Sequence, residues 1–225
     1  MPPAGRGDRR ARRPGPQNEA VRQTDEITTP RGPARVDTDL PDGRYSTLLV
    51  LGHGAGGDVT APDLVAVRDA VVAAGVGVIR VTQPYRVAGR RAPAPAGHLD
   101  EAWTAVLAAL RERHPGLACW VVGGRSSGAR VACRTAGAVG AAGIVALAFP
   151  LHPPGRPERS RADELATGLP TLVVNGDRDP FGVPEPGPGV EVVVRPGERH
   201  DLRIDPAGTA AVVRDWLHDR GWTAA

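Results

Sequence analysis

The sequence predicts a single α/β domain with a mostly parallel central sheet and helices on both faces. Short apolar runs typical of buried strands alternate with stretches whose apolar residues recur at helical spacing. This alternation favours parallel strands joined by right-handed crossovers, which place helices over the sheet. A chain of 225 residues is long enough for one well-packed domain of this kind.

Eight extended segments and four helices account for most of the predicted domain. The first two extended segments, 26–29 and 34–40, flank a Pro-Gly turn and are expected to form an antiparallel edge. The parallel strands are predicted at 46–51, 76–82, 118–122, 144–148, 171–174 and 190–194. The helices are predicted at 62–74, 99–113, 127–136 and Pro206–Asp219. Because binding sites in such sheets lie at the carboxyl ends of the strands, the loops there are the places to search for chemistry.

Most of the positive charge lies at the start of the chain. Residues 1–22 contain six arginines and two acidic residues, whereas the whole chain carries a net charge of only +3. A segment rich in Arg, Pro and Gly is typical of a disordered extension. We therefore predict a disordered tail over 1–24 and one folded domain over 25–225, with no nucleic-acid partner for the folded domain.

The sequence also restricts where the protein is expected to act. The chain has no apolar run long enough to cross a bilayer, and its N-terminal arginine pairs precede no apolar export segment. Cys119 and Cys133 lie in apolar segments, as free thiols do in a reducing compartment. We predict a cytoplasmic protein without a membrane partner, a metal or an organic cofactor, and the sequence leaves its oligomeric state open.

A serine stands at the junction between a predicted strand and a predicted helix. The strand at 118–122 leads into GRSSG (124–128), which has the G-x-S-x-G pattern of a nucleophile elbow. Small residues are needed on both sides because neighbouring backbone passes close to the turn. A hydroxyl at a helix N-terminus is also well placed for developing negative charge. Ser126 is therefore the predicted nucleophile, and the alternative is a glycine-rich turn without chemistry.

A glycine-rich loop, GHGAGG (52–57), follows the first predicted parallel strand. Acyl transfer needs backbone N–H donors for the oxyanion. In the α/β-hydrolase fold, which the elbow indicates, one donor follows the nucleophile and the other belongs to such a loop. We assign these donors to Ser127 and Ala55, and we expect His53 to orient the loop rather than to titrate. Phosphate binding is the alternative, but the spacing fits neither a P-loop nor a dinucleotide fingerprint.

An acid and a base are expected after the serine, in that order along the chain. The base accepts the proton of the serine hydroxyl, and the acid holds the base in the correct tautomer. Asp179 follows the strand at 171–174 and is the predicted acid, with Asp177 as an alternative that would otherwise stabilise the turn. His200 is the predicted base because it alone among the histidines follows a late strand and precedes the last helix.

Five stretches together resemble a known family: GHGAGGD, QPYRVAGRRAPAP, GGRSSGAR, FPLHPPGRPE and NGDRDPFG. The chain resembles the α/β-hydrolase-like family of testis-expressed protein thirty, which includes a subunit of a non-specific-lethal chromatin complex and is similar to dienelactone hydrolases. The resemblance runs from about Thr47 to the C-terminus. It implies the same nucleophile, acid and base, Ser126, Asp179 and His200. The sequence departs from the family at Ser127, where a larger apolar residue is usual, which implies a more open or more polar pocket wall.

The predicted site is open, and the sequence supports more than one hypothesis for its function. The segment 151–170 is too short for a large cap domain. Candidate substrate contacts are His53, Tyr85, Arg91, His152 and Phe181. The first hypothesis is a serine hydrolase that acts on a small acyl substrate, an ester or thioester, through an acyl-enzyme. The second is a non-catalytic binding or scaffold protein with the same fold. Acyl transfer to an acceptor other than water would use the same residues.

Overall fold

The central sheet has eight strands within residues 21–224, the part of the chain that the computed structural model describes. The strands are β1 (Val21–Thr29), β2 (Gly32–Leu40), β3 (Thr47–Gly52), β4 (Gly77–Thr82), β5 (Cys119–Arg125), β6 (Gly143–Leu147), β7 (Thr171–Gly176) and β8 (Val190–Arg195). Their spatial order is β1-β2-β4-β3-β5-β6-β7-β8. β2 pairs antiparallel with β1 and β4, and all the other neighbours pair in parallel. The predicted fold class, with its antiparallel N-terminal edge, is confirmed.

The first strand starts earlier than the sequence predicts. β1 begins at Val21, so residues 21–24, which were predicted as part of the tail, belong to a strand. After Val21 the added residues are polar and pair mostly with polar residues of β2, as Arg22 does with Asp39 and Thr24 with Asp37. Because the backbone ladder, rather than an apolar pattern, holds this end of β1, hydropathy gives no sign of it. The rest of the predicted tail, residues 1–20, lies outside the described residues.

Helices cover both faces of the sheet. They are α1 (Pro62–Ala73), α2 (Pro84–Val87), α3 (Ala96–Arg113), α4 (Ser127–Thr135) and α5 (Pro206–Asp219). On one face the buried side chains of α3 and α4, such as Trp103 and Ala132, form a core with the sheet. On the other face α1 and α5 do the same through side chains such as Val67 and Val213. The short helix α2 was predicted as loop, since four residues are too few to show helical periodicity.

Strand β3 illustrates why the sequences of the parallel strands are continuous apolar runs. All six of its residues are buried. Leu48 and Val50 enter the core under α3 and α4, whereas Leu49 and Leu51 enter the opposite core. Successive side chains of a strand point to opposite faces, so a strand covered on both sides needs apolar residues at every position. Full burial of one such side chain stabilises the fold by about 1.5–3 kcal/mol.

The crossover between β6 and β7 leaves the carboxyl edge of the sheet open. Its only helical turn within the described residues is a 3-10 helix, Ala162–Leu165, which the sequence did not predict. The expectation that no large cap domain covers the site is therefore confirmed. Both cysteines are free thiols, with Cys133 buried and Cys119 half-buried. Among residues 21–224, no helix has the length and apolar character needed to span a membrane.

Candidate active site

Ser126 occupies a strained turn between β5 and α4. Its φ of 53° lies in the left-handed region, which is costly for a residue other than glycine. Its N–H donates to the Leu147 carbonyl at 2.9 Å. A methyl group on Gly124 would lie 2.4 Å from the Gly52 carbonyl oxygen, and one on Gly128 would lie 2.5 Å from the same atom. Because only glycine fits at both positions, the G-x-S-x-G pattern is a packing requirement of this turn.

A hydrogen-bonded chain joins the three side chains predicted as nucleophile, base and acid. The Ser126 Oγ lies 2.9 Å from His200 Nε2, and His200 Nδ1 lies 2.8 Å from Asp179 Oδ2. The Asp179 side chain is 0% exposed, and that of His200 is 20% exposed. The structure thus brings together three residues from the ends of three different strands, in the arrangement that activates a serine hydroxyl.

The loop after β7 holds the Asp179 carboxylate in place. The Phe181 N–H donates to Oδ1 at 2.9 Å, and the Asn175 amide lies 3.4 Å from Oδ2. Asn175 is itself fixed, since its amide binds both the N–H and the carbonyl of Phe149 at 2.8 and 3.0 Å. The Phe181 ring packs against the His200 ring with centroids 4.3 Å apart. The carboxylate is therefore aimed at the imidazole by fixed donors.

Asp177, the alternative acid, has a different task. Its side chain is exposed, and Oδ1 accepts the Gly197 N–H at 2.8 Å. That bond ties the turn after β7 to the turn after β8. Since Asp179 is the partner of His200, Asp177 takes the turn-stabilising role that the sequence left open for it.

The loop that carries His200 is anchored on both sides of the histidine. Before it, the buried Glu198 carboxylate accepts the N–H groups of Ile204 and Asp205. After it, Leu202 is 0% exposed and adopts a φ of 44°. A buried side chain in a left-handed conformation persists only where its surroundings fix it. The imidazole is therefore presented by a well-determined loop.

The glycine-rich loop after β3 is fixed by two side chains that the sequence placed at the substrate. His53 is 2% exposed, and its Nε2 accepts the Gln83 N–H at 3.1 Å, so Nδ1 carries the proton donated to the Gly54 carbonyl at 2.8 Å. Burial lowers the pKa of His53, which keeps the ring neutral. The Tyr85 hydroxyl donates to the Ala55 carbonyl at 2.8 Å. Both side chains hold the loop, and His53 has no ring nitrogen left for a substrate.

The same loop passes beside the serine. A methyl group on Gly54 would lie 3.6 Å from the Ser126 Cβ. Ala55 is the next residue of this loop, and Ser127 is the first residue of α4. Backbone N–H groups at the first turn of a helix have no partner within the helix. The two predicted oxyanion donors are therefore both close to Ser126 along the backbone or across the loop.

Two further residues, His152 and Arg91, were predicted to contact the substrate, and they differ in their distance from the acid and the base. The His152 N–H donates to the Phe181 carbonyl at 3.1 Å, and its ring is 3.0 Å from the position of a methyl group on Gly182. His152 therefore borders the loop of Asp179. Arg91 lies exposed on the loop after α2, and the structure does not bring it to the three side chains.

Sequence reasoning missed two charged residues at this site, Arg125 and Asp63. Arg125 occupies the position that the G-x-S-x-G pattern leaves free, and its guanidinium binds the His200 carbonyl at 3.1 Å. Asp63 lies in the first turn of α1 and forms a buried ion pair with Arg125 at 3.3 Å. An arginine at the end of an otherwise apolar buried strand was the signal available in the sequence, since such a charge needs a partner.

The fold and this arrangement of side chains define a protein of the α/β-hydrolase class. Residues 45–190 match the sequence profile of the alpha/beta hydrolase domain family, and the chain belongs to that family. A search among curated protein sequences finds no match.

Several solved structures are similar to this one over nearly their whole length. A protein from Xanthomonas campestris described as an α/β serine hydrolase without lid is 21% identical, with a TM-score of 0.74, covering 93% of this chain and 97% of its own. A dienelactone hydrolase from Anabaena variabilis is 16% identical, with a TM-score of 0.71 and coverage of 89% and 98%. Est1E from Butyrivibrio proteoclasticus is 15% identical, with a TM-score of 0.70 and coverage of 88% and 98%. At these identities the likeness establishes the shared fold.

Proposed function

We propose that this protein is a serine hydrolase that cleaves a small ester or thioester through an acyl-enzyme. The observation that carries the proposal is the His200 ring, which lies 2.9 Å from the Ser126 Oγ and 2.8 Å from the Asp179 carboxylate. A serine hydroxyl becomes a nucleophile when an oriented base is in hydrogen-bond contact with it. These three side chains meet that condition without rearrangement.

In the acylation half-reaction, the Ser126 Oγ attacks the carbonyl carbon while its proton passes to His200 Nε2. Asp179 stabilises the imidazolium and holds its orientation. The negative oxygen of the tetrahedral intermediate accepts hydrogen bonds from the N–H groups of Ala55 and Ser127. When the intermediate collapses, the bond to the leaving group breaks, and His200 protonates the departing alcohol or thiol.

In the deacylation half-reaction, water takes the place of the leaving group. His200 Nε2 accepts one proton of this water while its oxygen attacks the acyl carbon. The second tetrahedral intermediate collapses by breaking the bond to the Ser126 Oγ, which regains its proton from His200. The products are a carboxylic acid and the resting enzyme.

The open carboxyl edge of the sheet supports a small and accessible substrate. The connection between β6 and β7 contains only a short 3-10 helix, and the His200 side chain is 20% exposed. Similar structures include proteins described as a lidless serine hydrolase and as a dienelactone hydrolase. The narrower kinship with the family of testis-expressed protein thirty, which rests on the five motif stretches, is part of this proposal.

Two other functions use the same fold. A scaffold protein would not need a strained serine, and the left-handed Ser126 in contact with His200 favours catalysis over that alternative. An acyltransferase would share every residue of the site and differ only in the acceptor. Product analysis with and without added alcohols or amines separates transfer from hydrolysis.

The proposal is tested by the hydrolysis of p-nitrophenyl acetate and of an acetyl thioester. We expect Ser126→Ala to lower kcat on the order of a million-fold, since the nucleophile of a working triad is lost. Ser46→Ala, at an exposed serine before β3, is the matched control and should retain wild-type activity. Hydrolysis by Ser126→Ala at the wild-type rate would remove Ser126 from this role.

A further inference from the structure

Arg125 stands at the meeting point of the loops that build the site. It is the last residue of β5 and directly precedes Ser126. Its side chain is only 14% exposed. A guanidinium that is largely withdrawn from water needs hydrogen-bond and charge partners, and those partners show what the side chain connects.

The guanidinium makes polar contacts with two separate segments and lies beside a third. Nη2 donates to the His200 carbonyl at 3.1 Å, and Nε forms an ion pair with Asp63 Oδ2 at 3.3 Å. Nη1 lies 3.4 Å from the position of a methyl group on Gly54, in the oxyanion loop. One side chain therefore joins the turn that carries Ser126 to the loop that carries His200 and to α1, and it lies beside the glycine-rich loop 52–57.

Asp63 holds the guanidinium at a considerable energetic cost. Its carboxylate is 0% exposed, and within residues 21–224 neither oxygen accepts a well-aligned hydrogen bond. Burial raises the pKa of Asp63 to about 6, although Arg125 lowers it. A buried ion pair of this kind is poor at stabilising a fold, and apolar residues of the same volume often do better. Its place between the loops of the site therefore points to a positional role.

We propose that Arg125 is a positioning residue that fixes the His200 loop relative to Ser126, with Asp63 fixing the guanidinium in turn. The inference rests on the proposed hydrolase function and extends it to residues that do not touch the substrate. The bond from Nη2 to the His200 carbonyl holds the backbone from which the imidazole projects. Losing it lets the Nε2–Oγ distance drift, and a misplacement of about 1 Å costs about 100-fold in rate.

The test uses two variants, because a single change at Arg125 leaves Asp63 buried without a cation. The first is Arg125→Met, which keeps the length of the side chain and removes its charge. The second is the double variant Asp63→Asn with Arg125→Met, which leaves no buried charge and keeps the fold testable. Arg130→Met is the control, since Arg130 lies on α4 and pairs with Glu164 away from the site.

We expect kcat for p-nitrophenyl acetate to fall about 100-fold in both test variants, with KM unchanged. Arg125→Ala, a further variant that leaves the space of the guanidinium empty, should regain part of its lost kcat in millimolar guanidinium chloride, because the free cation can occupy that space and bind the same carbonyl. The control should match the wild type and show no rescue. A loss that arises merely from a weakened fold would not respond to this cation.

Each outcome separates the inference from the function on which it rests. If the wild type is active and both test variants retain its kcat, the positioning role is wrong and the hydrolase proposal stands. The same holds if kcat falls in both variants and guanidinium does not restore any of the kcat lost in Arg125→Ala. If the wild type neither hydrolyses esters or thioesters nor reacts with a fluorophosphonate, the proposed function fails, and the inference fails with it.

Discussion

Two buried carboxylates, one on helix α1 and one on the strand β2 that pairs with a residue of α1, have very different surroundings. Asp39 of β2 has a side chain that is 3% exposed, and Asp63 in the first turn of α1 is 0% exposed. Both need a positive partner, because moving an unpaired charge out of water is costly. Asp39 lies far from Ser126 in the sheet. Asp63, in contrast, contacts Arg125, which directly precedes Ser126 in the chain.

Both oxygens of the buried Asp39 carboxylate have hydrogen-bond partners. Its two oxygens accept hydrogen bonds from Arg68 at 2.8 Å and from Arg80 at 3.1 Å, and Arg22 adds an ion pair at 3.3 Å. Arg80 also donates to the Val59 carbonyl at 2.7 Å. The network ties β2, β4 and α1 together, and a buried carboxylate whose oxygens are both paired is favourable where an unpaired one is costly.

Within residues 21–224, Asp63 has a single cationic partner, and the contact between them is not a well-aligned hydrogen bond. Such different surroundings indicate that the two carboxylates have different roles. Around Asp39 the charges are arranged for stability. Around Asp63 stability is given up at the place where the pair also positions the base loop, a pattern expected at functional sites.

The largest effect on stability is expected at Asp39. Asp39→Asn removes the anion and leaves Arg68 and Arg80 buried without it. We expect a loss of about 3 kcal/mol or more in the free energy of unfolding, the usual result of breaking a buried charge network. The activity of the folded fraction should be unchanged. Urea unfolding followed by tryptophan fluorescence measures the first, and a titrated ester assay measures the second.

Asp42→Asn is the matched control for this experiment. Asp42 is exposed and lies close to Asp39 along the chain. Its substitution should change the unfolding free energy by less than about 0.5 kcal/mol. A loss below about 1 kcal/mol in Asp39→Asn would show that the network around Asp39 is not the stabilising one of the two.

A smaller and pH-dependent effect is expected at Asp63, whose carboxylate faces Arg125 and is also near Asp201. The pKa of Asp63 is raised from 3.8 to about 6, so the folded state binds the proton more tightly than the unfolded state. The stability that this proton contributes is complete below the pKa of Asp63 in the unfolded state. It is lost as the pH rises through the higher pKa of Asp63 in the folded state. Asp63→Asn cannot titrate and should escape this loss.

The difference in unfolding free energy between Asp63→Asn and the wild type should therefore grow in favour of the variant with rising pH. The raised pKa sets an upper limit of about 3 kcal/mol on the change. Urea unfolding of both proteins at about pH 4 and about pH 7.5 measures it. A difference that is constant, or that moves in favour of the wild type, would show that Asp63 is a stabilising partner like Asp39.

The sequence was sufficient for the features that depend on local pattern. Continuous apolar runs located the parallel strands, because strands covered on both faces need apolar residues throughout. The elbow at Ser126 was readable since its glycines meet steric limits within a few residues. His200 and Asp179 followed from chain order, which the fold fixes.

Features that depend on distant partners were not readable. Asp63 and Arg125 meet only because the fold brings the start of α1 to the carboxyl end of β5, and although a charge at the end of an apolar strand indicates that Arg125 needs a partner, nothing local identifies Asp63 as that partner. Tyr85 looked like a pocket wall, whereas its hydrogen bond to the Ala55 carbonyl shows that it supports the glycine-rich loop, as His53 was predicted to do. The start of β1 depended on pairing with β2 rather than on its own apolar pattern.

The most direct measurement is labelling with a fluorophosphonate, read out by intact mass and by mapping of the modified residue. The reagent reacts with a serine only where a base has activated its hydroxyl. We predict that the wild type gains one phosphonyl group on Ser126 and that Ser126→Ala and His200→Ala remain unlabelled. An unlabelled wild type, or equal labelling of Ser126→Ala, would contradict the proposal that Ser126, His200 and Asp179 act as a catalytic unit.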